Sequence, residues 1–441
     1  MLQILKHRQF APLFLAQLVA LFGTGLATVA LGLLAFDLAG EKAGLVLGLV
    51  FTIKMVAYVG IAPIAGAFAD RLPRRKMLVM LDLVRAGVAM MLPFVAEVWQ
   101  IFGLIFLLQA ASAAFTPTFQ ASIPDILPDE QDYTKALSLS RLAYDLESLL
   151  SPMLAGAVLL FFAYQALFVG TIIGFVASAL LIFSVALPNP KPSEPRGIYE
   201  RTTRGIWIYL ATPRLRGLLA LCMAVSAIGS MVLVNSVVLV RETLGLADVH
   251  VAYSYAAFGA GSMIAALSLP RLLDRLLDRQ VMLSGVAILI LAHGALMTVM
   301  MLGQFSFVSL LIGWLFIGVG YSAILTPSGR LLQRSSHPED RPAVYAAQFA
   351  LSHACWLICY PLAGWMQTSM GSEVTMSVLT VIALSAALVA TQLWPADAER
   401  VIEHSHDDLP PDHPHLKDSH GHVHSHVFVV DDYHVQWPGR P

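Results

Sequence analysis

The feature that most limits this chain is a succession of nearly uncharged apolar runs, each of about 20 residues or more, enough to cross a bilayer as a helix. In lipid the backbone must satisfy its own hydrogen bonds. Runs without period-2 alternation do so as helices rather than as barrel strands. Composition agrees, since 57% of the 441 residues are hydrophobic and only 13% are charged. A soluble domain carries roughly twice that charge. The expected fold class is therefore an all-α membrane protein. A net charge of −2 points to no polyanionic partner, hence to no nucleic acid. Cys222, Cys355 and Cys359 all fall inside apolar runs and suggest no disulfide framework. The N-terminal apolar stretch lacks a small-residue cleavage site and reads as a retained first span rather than a signal peptide.

Twelve spans are expected, near 10–38, 43–69, 77–96, 99–124, 135–161, 164–187, 214–240, 251–270, 281–301, 305–328, 342–366 and 372–394. Basic residues concentrate in cytoplasmic loops, which tests that count. With both termini inside, all but Lys42, Arg241, Lys54 and Arg85 of the 27 Lys and Arg residues fall in cytoplasmic segments. A wrong span count would scramble the alternation. The expected location is a bacterial inner membrane, crossed many times, with both termini cytoplasmic.

The two halves echo one another. Asp70-Arg71-Leu72 with Arg75 returns as Asp274-Arg275-Leu276 with Arg279. Thr116-Pro117 returns as Thr326-Pro327, and Pro152-Met-Leu-Ala155-Gly156 as Pro361-Leu-Ala363-Gly364. A nearly constant offset indicates an internal repeat. It divides the chain into a six-helix bundle over 1–187, a Pro- and basic-rich cytoplasmic linker over 188–213, a second bundle over 214–395, and a His-rich tail over 396–441, expected to be disordered.

The loop between spans 2 and 3 reads Gly66-x-x-x-Asp70-Arg71-x-x-Arg74-Arg75-Lys76. With the repeat, this loop resembles the signature of the major facilitator superfamily. The resemblance covers residues 1–395 and implies two pseudo-symmetric six-helix bundles that alternate access to a midplane site. It also implies that Gly66, Asp70, Arg71, Arg74, Arg75 and Lys76 form a charge latch on the inner face. Two stretches depart from the drug–proton antiporters of that family. Span 4 has no arginine in Phe106-Leu-Leu-Gln109-Ala110, and span 5 has Glu147 and Ser151 where glycines would stand. The pattern is closer to siderophore exporters and metal-resistance permeases.

After Pro395 the chain turns polar and acidic. Nine of the 14 histidines lie there: His404, His406, His413, His415, His420, His422, His424, His426 and His434. Neutral imidazole suits nickel, copper, cobalt and zinc. Alternate residues of an extended chain project to one side, so neighbouring histidines can share an ion. A transporter with this tail resembles the nickel- and cobalt-resistance exporters of the superfamily.

Charge at a helix centre costs about 2.5–3.5 kcal/mol on insertion scales, so each intramembrane charge invites a role. Lys54 lies mid-span 2. Asp82 and Arg85, three apart on span 3, can pair and read as a structural latch. Asp145 and Glu147 lie on span 5 about 200° apart, on different helix faces. Aligning Pro152 with Pro361 brings His353 near the depth of Glu147. The expectation is a proton or metal relay of Asp145 or Glu147 with His353 and Lys54. Gln17, Asn235 and Thr326 fall on spans that line the cavity in the resembled family and are candidate pathway residues. Cys355 and Cys359 share a helix face and read as packing, and His293 as a core histidine.

The leading expectation is proton-driven efflux of a divalent metal ion, nickel or cobalt, gathered by the tail. No GxxxxGK[ST] loop is present to couple ATP. The alternative is export of a siderophore or other small organic molecule, with a metal-sensing tail; a third reading is a membrane metal sensor without transport. No enzyme activity and no permanently bound cofactor are expected, and the protein is read as a monomer in lipid. A metal substrate requires convergent N, O or S ligands in the cavity, whereas an organic one requires aromatic and neutral walls.

Overall fold

In a computed structural model, residues 2–69, 73–127, 129–187, 198–336, 340–396, 401–405, 423–427, 429–430, 434 and 437 are described. The helices are α1 (Phe10–Ala39), α2 (Ala43–Ala69), α3 (Arg74–Met91), α4 (Val98–Ile126), α5 (Glu130–Leu159) and α6 (Gln165–Ser184). They continue as α7 (Ile198–Ala211), α8 (Pro213–Val238), α9 (Asp248–Leu273), α10 (Asp278–Met301), α11 (Phe307–Leu325), α12 (Ser328–Arg334) and α13 (Arg341–Leu393). The helices fall on the expected apolar runs, with bounds that differ by up to five residues. The last two are joined as α13, broken where Gly371 takes φ 80°, a left-handed conformation that glycine adopts without steric cost. Among the described residues nine segments are long and apolar enough to cross a membrane. Phe10–Ile61 holds α1 and most of α2, Phe307–Arg334 holds α11 and α12, and Ala343–Leu393 holds both limbs of α13.

Helix starts follow local chemistry. Asp129 accepts from the Asp132 amide at 3.0 Å at the head of α5. Gln100 folds back to accept from the Glu97 amide at 3.1 Å at the head of α4. Such groups satisfy the first amides of a helix, which have no partner within it.

Helices α1–α6 pack chiefly with one another, as do α8–α13. The two sets meet along α2 against α13 and α5 against α9. At the helix ends farther from the chain termini, here the distal face, the α2–α13 seam is closed by glycines. A Cβ on Gly364 would stand 2.3 Å from the Gly44 carbonyl oxygen, and one on Gly48 would stand 2.7 Å from that of Tyr360. Asn235 fills this seam. It is fully buried and donates to the Ala363 carbonyl at 3.3 Å. Nearby, Arg241 pairs with Asp248 at 2.5 Å and lies over the Phe36 ring of α1. The halves are therefore shut at the distal face.

On the opposite, terminal face, the fully buried Asp278 receives Arg330 Nε at 2.9 Å and Arg334 at 3.1 Å. The linker contains α7. That helix docks on the second half, with Arg204 bonding both oxygens of Asp340 at 2.6 and 3.1 Å.

The tail, expected to be disordered, contains two strands, β1 (Val401–Ser405) and β2 (Val423–Val427), paired antiparallel with Val401 opposite Val427 and His404 opposite His424. Val401, Ile402, Val423 and Val427 are β-branched residues that favour extended backbone.

Within the first half, the Asp82–Arg85 pair forms as the spacing predicts and is buried. The guanidinium lies 4.1 Å from the Phe115 ring of α4 and 4.6 Å from the Phe175 ring of α6, pinning three helices together. Removing one partner of a buried pair leaves the other charge uncompensated. Asp82→Asn is expected to cost about 3–5 kcal/mol, read as a lowered thermal midpoint of the purified protein; an unchanged midpoint would show that the pair does not hold this packing.

Candidate functional site

Lys54 projects from the middle of α2, one turn before Tyr58 on the same helix face, with its ammonium 5.9 Å from the Tyr58 ring centre. The Tyr58 ring lies parallel to that of His353, 5.8 Å away and inclined by 5°. His353 in turn sits 3.9 Å from the Phe349 ring, one turn earlier on α13. Its Nδ1 lies 2.7 Å from the Phe349 carbonyl oxygen, which fixes the ring. The three rings join the first half of the protein to the second.

Across from Lys54, on α5, stands the half-buried Glu147. Lys54 and Glu147 are near enough to act on one another electrostatically. Room for Glu147 comes from α1. A Cβ on Gly25 would lie 2.2 Å from Ser151 Cβ and 2.7 Å from Glu147 Oε1. Thr116 faces the hydroxyls of both Tyr58 and Tyr144, and Gln17 faces Tyr144. The buried atoms Gln17 Oε1 and Ser151 Oγ make no hydrogen bond. Buried polar atoms are normally paired, and unpaired ones mark places where a ligand or water completes the set.

The structure thus brings together Lys54, Glu147, Gln17 and His353 of the expected residues. His353 stacks on Tyr58, Tyr58 lies beside Lys54, and Lys54 is coupled electrostatically to Glu147. The Asp145 side chain lies outside the described residues. Asn235 sits in the distal seam, and Thr326 is exposed at the end of α11, bonded to Ser322 at 3.0 Å; neither joins this cluster.

Of the expected latch, Asp70 and Arg71 lie outside the described residues, and Gly66 falls in the last turn of α2. Arg74 is buried, Arg75 lies over the Phe183 ring at 5.3 Å, and Lys76 is exposed. In the tail, His406, His413, His415, His420 and His422 lie outside the described residues. His404, His424 and His426 fall in the strands, and His434 is buried.

Cys355 and Cys359 are buried packing residues, with Cys359 Sγ 3.8 Å from Met223 Sδ. His293 packs as expected, its Nδ1 2.8 Å from Thr380 Oγ1. Sequence reasoning missed Tyr58, Phe349, Tyr144 and Thr116. The signal for the first two was their position one helical turn from Lys54 and His353.

The Major Facilitator Superfamily profile matches this chain over residues 13–307 and 219–410. The chain belongs to that superfamily. An uncharacterized MFS-type transporter of Bacillus subtilis (strain 168), YvqJ, is 22% identical over 415 residues, covering 90% of this chain and 95% of that protein. Macrolide efflux protein A of Streptococcus pyogenes is 26% identical over 156 residues, 34% of this chain and 38% of its own length. The match to a second uncharacterized Bacillus subtilis transporter, YfiS, spans half of that protein.

Among solved structures, a bacterial homologue of the human lysosomal transporter Spinster, in an inward-facing, unoccupied conformation, aligns with a TM-score of 0.70 at 13% identity, over 87% of this chain and 96% of that one. The nucleoside transporter NupG, as its D323A mutant, aligns at 0.67 and 13% identity, over 88% and 100%. These likenesses concern the fold. As a superfamily member, the chain is a multi-pass membrane transporter.

Gly25→Ala is expected to force α1 from α5 beside Glu147, at a cost of about 1–3 kcal/mol for overpacking. Gly87→Ala, where a Cβ meets nothing within 4 Å, serves as the control. Thermal unfolding of both variants checks this; equal midpoints would show that the α1–α5 approach carries no constraint.

Proposed function

We propose that this protein is a proton-coupled exporter of a small organic molecule, working by alternating access. In this reading twelve spans form two six-helix bundles in a bacterial inner membrane, with both termini cytoplasmic. The carrying observation is the wall of Tyr58, Phe349 and His353 beside Lys54 and Glu147. Aromatic faces suit an organic body, and the two charges suit its polar or ionised groups. A divalent cation would meet the repulsion of Lys54, and among the described residues no three His, Cys, Asp or Glu side chains converge to hold one. This reverses the order of the two transport readings drawn from the sequence. The partial likeness to macrolide efflux proteins supports the organic reading, against the expectation from spans 4 and 5.

Glu147 is the proton acceptor in this scheme. Protonating it removes the counter-charge of Lys54 and changes what the cavity between the halves can hold. In this scheme the distal seam is the closed gate, and the substrate loads from the cytoplasmic side. The second reading, efflux of nickel or cobalt ions, is favoured by the nine tail histidines. There the ion is cargo rather than a resident cofactor, and the tail histidines its capture ligands.

Everted membrane vesicles under an imposed pH gradient separate the two. Accumulation of a radiolabelled macrolide or catecholate siderophore above vesicles lacking the protein, with none of nickel or cobalt, is the expected result. Gradient-driven accumulation of nickel or cobalt, without any organic probe, would replace it with the metal reading.

A further inference from the structure

The distal seam is shut by close backbone contact, yet two polar side chains lie inside it. Asn235 of α8 and Gln367 of α13, three residues past Gly364, are both buried. They belong to the second half, and both lie against Gly44 at the head of α2 in the first. A Cβ on Gly44 would stand 2.7 Å from Asn235 Oδ1 and 3.2 Å from Gln367 Cγ.

The donors of both amides are committed within the second half. Asn235 Nδ2 donates to the Ala363 carbonyl at 3.3 Å and lies 3.3 Å from Met231 Sδ. Gln367 Nε2 donates to Ser372 Oγ at 2.7 Å, across the break at Gly371. These bonds orient each amide and leave its oxygen as the free end. Among the described residues, neither Asn235 Oδ1 nor Gln367 Oε1 accepts a hydrogen bond, and neither has a water-sized space beside it. Against Asn235 Oδ1 the first half sets the Cα of Gly44, whose hydrogens are weak donors.

A buried acceptor without a partner has given up its hydration for nothing in return. When the halves part, water reaches it and the loss is recovered. Glycine contacts draw the seam together by dispersion, and the two amide oxygens oppose them. We propose that Asn235 and Gln367 are gating residues, whose bare oxygens hold the distal seam close to its point of opening. A wholly apolar seam at this place would close more firmly and shift the population away from the open state. The device rests on alternating access and is independent of the cargo.

Spin labels on Lys42→Cys and Glu373→Cys, exposed positions on the distal face of opposite halves, report the seam as a distance distribution, the three native cysteines being buried. Gly48→Ala supplies an open population to measure, because its Cβ would meet the Tyr360 carbonyl at 2.7 Å and Gly364 rather than either amide. In that background Gln367→Met and Asn235→Leu are each expected to lower the ratio of long to short distances by at least about fivefold, the factor for relieving one desolvated acceptor. Amides that served only to hold the seam together would act in the opposite sense, since their removal would raise the ratio. A raised or unchanged ratio overturns the proposal and leaves the transport reading standing, because the protein still alternates. A single short distance in every variant overturns both. A ratio that falls as expected, in a protein that moves no organic probe in vesicles, supports the gate and removes the transport reading alone.

Discussion

Two ionisable groups of opposite sign, Lys54 on α2 and Glu147 on α5, act on one another in the apolar interior. Either charge alone would be costly there, and each lowers the cost of the other through its field. Their mutual influence gives the site its character. A proton or a ligand arriving at either shifts the balance for both. The neighbourhood is built around that pair. Gly25 gives up a side chain so that Glu147 and Ser151 can approach α1, and Gln17 and Ser151 keep unpaired polar atoms close by.

The same economy of side chains closes the distal face. Backbones on α2 and α13 approach so nearly at Gly44, Gly48 and Gly364 that no Cβ fits. Small residues let membrane helices pack closely by dispersion, since lipid offers no hydrophobic drive to associate them. The His353 and Phe349 rings lie on the same α13 segment as Gly364, so a movement of α13 relative to α2 that parts the seam also shifts the aromatic wall. The terminal face is held differently, by charge. Asp278 is gripped by Arg330 and Arg334, and α7 is tied through Arg204 to Asp340. Substrates differ widely among proteins sharing this fold, so specificity rests on the wall and the charges rather than on the scaffold.

The helices were legible in the sequence because one constraint governs them: an apolar run in lipid must satisfy its backbone internally, and its ends show where charge resumes. The break at Gly371 was legible as the gap between two runs. Lys54, Glu147, His353 and Gln17 were legible because polar groups stand out against an apolar background. Tyr58 and Phe349 were not, because an aromatic residue on a membrane helix reads as packing until a partner across the bundle is known. Asn235 and Thr326 stand apart from this cluster: Asn235 turns into the α2–α13 seam and Thr326 lies past the end of α11. The strands of the tail were hidden by composition, since histidine and aspartate outnumber the few β-branched residues that favour extended backbone.

The central claim is that Glu147, poised against Lys54, carries the coupling to protons. Substrate flux through Glu147→Gln in vesicles, measured with and without an imposed pH gradient, tests it most directly. The account predicts that the variant still equilibrates its organic substrate down a concentration gradient but no longer accumulates it when the pH gradient is imposed. Accumulation equal to that of the unaltered protein would contradict it, and would move the proton site away from this pair.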